Sequence, residues 1–441
     1  MIKQWISLRF VLALVLVLPS AARPQQAPSP PPAARISVEN AHSFDPAAAT
    51  KAWLDTVSPE KRAKSDAYFE GGYWLILWNF LLTVAVMLFL LASGISARLR
   101  DFAERNTRFK SLQVGIYVVG FLLLSYLLQF PLIVYELFLR EHAYGMATQN
   151  FAQWFGEQML ALFVVQLPLS VAALMGLYAA FRRVPRTWWI WVPGIGVIFA
   201  AILFTLGPVF IEPLFNTYKP LTDPAIKESI LAMARANEIP VDQVFEVDAS
   251  RQTKRISANV AGFMGTTRIA LNDNLLKQCS LLEIREVMAH EMGHFVLNHT
   301  MKLLLQLAVL IFLCFVILQA TFDWALRRWG TAWNVRGISD PAGFPLIVLI
   351  FATILFLLTP VINTISRVTE READAFGINA SRESDGMAAV ALKLGAYRKL
   401  NPGPIEECIF YDHPSGRARI RMAMDWKAAQ LPPGDVKTTP Q

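Results

Sequence analysis

SLLEIREVMAHEMGHFVLNHTMKLLLQLAVLIFLCFVILQATF, residues 280–322, joins two kinds of helix in one run. Its first part opens on Ser280 with Glu283 three positions on, the capping-box spacing that starts helices. Apolar Leu282, Ile284, Val287 and Met288 continue the pattern into His290-Glu291-Met292-Gly293-His294. Its second part, from residue 303 to 322, carries no charge. About 20 apolar residues suffice to cross a bilayer as a helix. The spacing therefore predicts a polar helix with two histidines four apart, running into a membrane span.

Working outward, five more runs reach membrane length: 73–95, 112–138, 158–181, 188–213 and 344–365. Trp74, Trp78, Trp188, Trp189 and Trp191 stand in or beside them, where amphipathic rings favour the membrane–water interface. Composition agrees: 54% of the 441 residues are hydrophobic and only 17% are charged, against about 25% charged in soluble domains. The expected fold is mainly α, a polytopic helical membrane protein carrying a polar domain with a small β-sheet. The net charge of +7 flanks the apolar runs, so it does not form the single basic stripe of a nucleic-acid binder. Cys279, Cys314 and Cys408 lack CxxC spacing, and neither a disulfide framework nor a thiolate metal site is expected.

The chain begins with Lys3 and Arg9 ahead of a short apolar stretch, then Ser20 and Ala22. That pattern reads as a signal peptide or N-terminal anchor over 1–22. A Pro/Ala-rich linker and polar lead-in should fill 23–71. Four transmembrane helices are expected over 72–215 and two more over 301–365. Between them, 216–300 forms the first part of a polar domain, and 366–441 the second. Within 216–300, residues 224–237 read as a helix. Residues 243–247 and 268–271 read as short strands, joined through Gly262 and Gly265.

On a helix, residues four apart share a face, so His290 and His294 can offer nitrogens to one ion while Glu291 reaches a water. This is the HExxH pattern of zinc peptidases. Two histidines on an ordinary polar helix would give the same bare pattern. A second motif answers that: Ser366-Arg367-Val368-Thr369-Glu370-Arg371-Glu372-Ala373-Asp374 follows the last apolar run. Catalytic zinc usually takes three protein ligands and leaves one position for water. Glu370 supplies the third, in the manner of gluzincins. Asp374, four residues on, can accept from the outer N–H of a ligating histidine. Glu372 competes for the ligand role but lies about 200° round the helix from Glu370. His413, in the second polar region, is the candidate donor to a developing oxyanion. His299 lies about 140° round from His294 and is a poor ligand. One zinc ion per chain is expected, with Glu291 as general base.

These segments resemble the type I CAAX prenyl proteases, the a-factor-converting membrane metallopeptidases, with HtpX-like proteases as relatives. The resemblance spans about residues 68–424. It rests on FIEPLFN from Phe210, GFMGTTRIALNDNLL from Gly262, the HEMGH helix, SRVTEREAD from Ser366 and HPSGRAR from His413. It implies zinc at His290, His294 and Glu370, a base at Glu291, a transition-state histidine at His413 and a helical membrane chamber around the site. The family's usual asparagine ahead of the substrate-binding edge strand aligns with Ser257 here, and Asn259 stands two residues on. The implied substrates are C-terminal or membrane-associated peptides, lipidated ones among them, or misfolded membrane proteins. The signal-like N-terminus points to a bacterial inner membrane.

Two other readings use the same residues. A transporter with an incidental HExxH would carry charges inside its spans, which hold few. A catalytically dead scaffold would not need Glu291. The loops after the first and third spans, and before the last, are arginine-rich. The positive-inside rule makes them cytoplasmic and puts the zinc region on the other side. The family resemblance puts it in the cytosol.

Overall fold

The computed structural model describes residues 44–261 and 267–431. The signal-like segment, the Pro/Ala-rich tract, and Gly262 and Gly265 lie outside the described residues. The helices before the sheet are α1 (Pro46–Asp55), α2 (Pro59–Ala92), α3 (Ile95–Asn106), α4 (Lys110–Ala143), α5 (Phe151–Arg183) and α6 (Trp188–Leu206). Then come β1 (Tyr218–Pro220), α7 (Pro224–Ala236), β2 (Val244–Val247), β3 (Ala258–Ala261), β4 (Arg268–Asn272) and α8 (Asp273–Gln278). The chain continues with α9 (Leu281–Val296), α10 (His299–Trp333), α11 (Phe344–Ser381), α12 (Ser384–Leu394), α13 (Pro404–Phe410) and α14 (Gly416–Gln430).

Among the described residues, α2, α4, α5, α10 and α11 are long and apolar enough to cross a membrane. The run expected at 188–213 gives the shorter α6, which passes at Gly207 into a wide π turn. Leu127, Val309 and Leu357 point outward at 66%, 63% and 70% exposure. Apolar side chains on that scale would be costly in water, and lipid is the solvent they suit. The inner faces meet in one core, with Tyr117, Phe121, Tyr178, Phe181 and Phe344 fully buried.

The polar lead-in is more ordered than its composition suggests. Asp45 caps α1, and Pro46 starts it. Trp53 and Leu54 then pack against Ile420, Ala423 and Met424 of α14. The helix that carries the first span also starts earlier than expected, at Pro59.

The sheet has the order β1-β2-β4-β3, with β2 parallel to β4 and the outer pairs antiparallel. The two expected strands are therefore parallel neighbours, and the connection between them carries a further strand, β3. Short three- and four-residue strands such as β1 and β3 hold too few positions to show alternation. β3 is an edge, and its inner neighbour β4 is buried.

Ser280 caps α9, with the reciprocal Glu283 contact of a capping box. The run 280–322 is not one helix. Asn298, at φ +53°, breaks it between α9 and α10, a left-handed conformation asparagine tolerates. The break aims α9 away from the span. It then packs along the C-terminal half of α11, where two glycines allow close approach. A Cβ on Gly377 would sit 3.0 Å from the His290 backbone nitrogen. A Cβ on Gly293 would sit 3.0 Å from Phe376.

Candidate metal centre

The close packing of α9 on α11 brings His290, His294 and Glu370 together, with one ligand atom from each within 4.8 Å of the others. The two Nε2 atoms are 3.1 Å apart. Glu370 Oε2 is 3.3 Å from His290 Nε2, and Oε1 is 3.8 Å from His294 Nε2. Zinc–nitrogen bonds near 2.0–2.1 Å in a tetrahedron put donors about 3.3 Å apart. The three distances, with the two to Glu370 running to different oxygens, are near that size, and the cluster can gather round one ion.

Each histidine is held from behind, differently. His290 Nδ1 is 2.9 Å from Asp374 Oδ1. The other Asp374 oxygen takes Arg419 Nε of α14 at 2.9 Å, and Arg419 Nη2 also lies 3.5 Å from Glu370. Asp374 and Glu370 are both buried. His294 Nδ1 instead meets His299 Nδ1 at 3.0 Å. His299 Nε2 meets Glu372 at 3.1 Å, and Glu372 takes Lys302 at 2.9 Å. So Glu372 lies away from the ligand cluster, and His299 contacts a cluster histidine without joining the cluster.

The electrostatics favour a cation. Burial penalises the charged form of His290, yet hydrogen bonds to Asp374 and Glu370 outweigh it and push its pKa up to about 10. One turn earlier on α9, burial raises Glu286 to about 7, opposed by a hydrogen bond from the Ser381 hydroxyl.

His413, on the loop before α14, reaches the cluster: its Nε2 is 3.1 Å from Glu370 Oε2, and its Nδ1 is 2.7 Å from Asp412. Arg367 holds that loop by donating to the Glu407 and Tyr411 carbonyls. Glu291 is half-buried beside His290 on α9. Ser257, just ahead of β3, donates its backbone N–H to Asn272 Oδ1 at 3.1 Å, and Asn259 sits within β3 opposite Ala270. Sequence reasoning missed Arg419 and the His299–Glu372 relay. Arg419 stands 45 residues from Asp374, and no local spacing signals such a contact.

A helical membrane scaffold with a His-His-Glu cluster, its glutamate buried and its histidines half-buried, beside an edge strand defines the class, a polytopic membrane metallopeptidase. The family model for peptidase family M48 matches residues 220–427, and that for the CAAX prenyl protease N-terminal region, with five membrane helices, matches 42–217. Residues 220–427 thus carry a peptidase family M48 domain, and the chain is similar to the CAAX prenyl proteases. It is 29% identical over 371 residues to the uncharacterized metalloprotease YhfN of Bacillus subtilis, covering 83% of this chain and 86% of that one. A CAAX prenyl protease 1 homolog of Arabidopsis thaliana is 27% identical, over 84% and 89% of the two chains. The crystal structure of Ste24p from S. mikatae superposes with a TM-score of 0.73 at 22% identity, covering 84% of this chain and 90% of that one. The transporter reading finds no support in these likenesses.

Proposed function

We propose that this protein is a zinc endopeptidase with one ion per chain, held by His290, His294 and Glu370. What carries the reading is the donor spacing of 3.1–3.8 Å, which brackets a tetrahedral zinc site. Zinc, when bound, supplies Lewis-acid polarisation and lowers the pKa of water toward roughly 7. Glu291 takes the proton of the attacking water and delivers it to the leaving amine. His413 donates from Nε2 to the oxygen that gains charge at the scissile carbonyl. Asp374 fixes the His290 ring, with Arg419 fixing Asp374 in turn. The free edge of β3 pairs with the substrate backbone, a common way to seat an extended peptide, and Ser257 and Asn259 border that edge.

The peptidase domain is then built from 216–300 and 366–441, on either side of a membrane pair over 301–365. Its substrates are peptides presented at the membrane, either C-terminal and lipidated, as the names of its relatives suggest, or drawn from damaged membrane proteins. A bacterial inner membrane suits the signal-like N-terminus. The site lies across the membrane from the arginine-rich loops. Its end of α10 is about 50 Å from the other end, at 1.5 Å per residue. Exposed Cys408, on the site's side, reports which compartment that is. Labelling of Cys408 in intact cells by an impermeant maleimide places the site outside, and protection until lysis places it in the cytosol.

The function itself is tested by metal analysis of the purified protein. About one zinc per chain is expected, with peptide cleavage abolished by a chelator and restored by zinc. A Glu370→Ala protein that keeps full zinc and full activity would overturn the ligand set.

A further inference from the structure

Beyond the metal centre, α11 and α14 enclose a second, outward-facing cavity of about 650 Å³. Arg367, Arg371 and Arg421 line it, with Trp426. Of its two acids, Asp425 meets a cation and Glu407 a neutral donor. Glu407 accepts the Ser415 backbone N–H at 2.9 Å, and Asp425 accepts Arg421 Nε at 2.8 and 2.9 Å. Arg367 makes three hydrogen bonds, all to neutral groups, the carbonyls of Glu407 and Tyr411 and the Thr364 hydroxyl, out of the five N–H donors of a guanidinium. Arg371 makes no hydrogen bond or ion pair among the described residues, and it is exposed. Arg367 and Arg371 thus stand outside any ion pair among the described residues, against one such carboxylate, Glu407, and the three arginines and two acids of the lining leave it a net charge of +1.

Its position names the occupant. Leu357, Val361, Thr364, Val368 and Arg371 are all exposed on α11, spaced four, three, four and three apart. That is one continuous stripe along the helix. It is apolar at the membrane level and ends in an arginine at the cavity. The apolar run of α11 closes near Ile365. At 1.5 Å per residue, Val368 stands about 5 Å and Arg371 about 9 Å beyond it. The headgroup layer occupies roughly 5–8 Å on each side of the hydrocarbon core.

We propose that this cavity is a binding site for one anionic phospholipid. Its phosphate is held by Arg371 and Arg367 as charge-assisted hydrogen bonds, and its chains lie along Val368, Val361 and Leu357. The site stands independently of the metal reading. Because Arg367 also holds the loop that leads to His413, lipid bound there steadies that loop.

The test is native mass spectrometry of the full chain released from detergent. It is equilibrated with phosphatidylglycerol, with phosphatidylcholine, or with phosphatidylglycerol plus inorganic phosphate. Wild type should retain one phosphatidylglycerol in clear preference to phosphatidylcholine. Arg371→Gln should lower that retention about fivefold, as expected for one basic residue at a membrane surface, and Arg371→Lys should recover most of it. Metal content checks that each variant is folded. Val368→Asp is exposed enough to leave the fold intact, and it should lower retention as well by placing a like charge on the lipid's path. Equal retention of the two lipids by wild type overturns the proposal. So does unchanged phosphatidylglycerol retention in both Arg371→Gln and Val368→Asp. Displacement by low-millimolar inorganic phosphate would also overturn it, because the site would then read a free anion.

Discussion

Charge is buried at both ends of the membrane helices, but it is closed at one end and open at the other. At the far end, Arg100 is 2% exposed and donates to Asp340, Asp101 and the Asn334 carbonyl at 2.7–2.9 Å. Asp340 is completed by the backbone N–H groups of Arg336 and Ala342. Every group there has its partner within the chain. At the other end, Glu370 faces nitrogens of His290, His294, His413 and Arg419 at 3.1–3.8 Å. Two of those histidines approach each other at 3.1 Å, with lone pairs that only a proton or a cation between them reconciles. The contrast teaches how to tell a structural ion cluster from a binding one. The first balances its own charge, and the second leaves a place for something else.

The largest effect expected is on rate alone. Glu291→Gln keeps the size of the side chain and all three proposed ligands while removing the base. Hydrolysis should fall by about 10²–10⁴-fold, with zinc content unchanged. Parallel assays of zinc and peptide cleavage check this, and cleavage at the wild-type rate would sink the mechanism. The far end should behave in the opposite way. Arg100→Ala strands Asp340 in the interior, and breaking a buried pair costs about 3–5 kcal/mol. Denaturation in detergent should show that loss, while the folded fraction keeps its full zinc. Loss of zinc from folded Arg100→Ala protein would break the division between the two ends.

Much of this was legible in the sequence, and the gaps have physical causes. The spans were plain because the membrane demands long apolar runs. The cluster was plain because helical spacing fixes which residues share a face: His290 with His294, and Glu370 with Asp374. What could not be read was anything set by packing between distant segments. Arg419 behind Asp374, Arg100 on Asp340, and the edge strand β3 are of that kind. The charge count at the arginine-rich loops was also coarser than the molecule. Arg100 and Arg336 both belong to it, yet both pair with acids, Arg336 with Glu104 at 2.8 Å.

Within the metal end the two histidines sharpen the same contrast at smaller scale. Behind His290 stands a buried carboxylate fixed by a buried arginine. Replacing it, Asp374→Asn, keeps the shape but removes the charge and one acceptor oxygen. Carboxylates in that position typically carry about 10–100-fold in metal affinity. Competition with a chromophoric chelator measures it, and an affinity equal to wild type would show that Asp374 does not orient the ligand.

Behind His294 the chain of contacts runs outward, through His299 to Glu372 and Lys302, whose side chains are 46% and 50% exposed. Solvent screens such pairs, and exposed ones contribute about 0–1 kcal/mol, at most a fivefold change in an equilibrium constant. His299 is itself buried, so its position depends mainly on packing and little on the carboxylate beyond it. Glu372→Gln should therefore weaken zinc binding by less than about fivefold. Raising the salt concentration should shrink even that difference, since screening lengths fall to about 3 Å at 1 M. The comparison with Asp374→Asn, made in one buffer series, isolates the effect of burial from that of chemistry, because both substitutions turn a carboxylate into an amide. If Glu372→Gln costs as much affinity as Asp374→Asn, and the loss survives high salt, then the two histidines are equally supported and burial is not what sets the strength of the support.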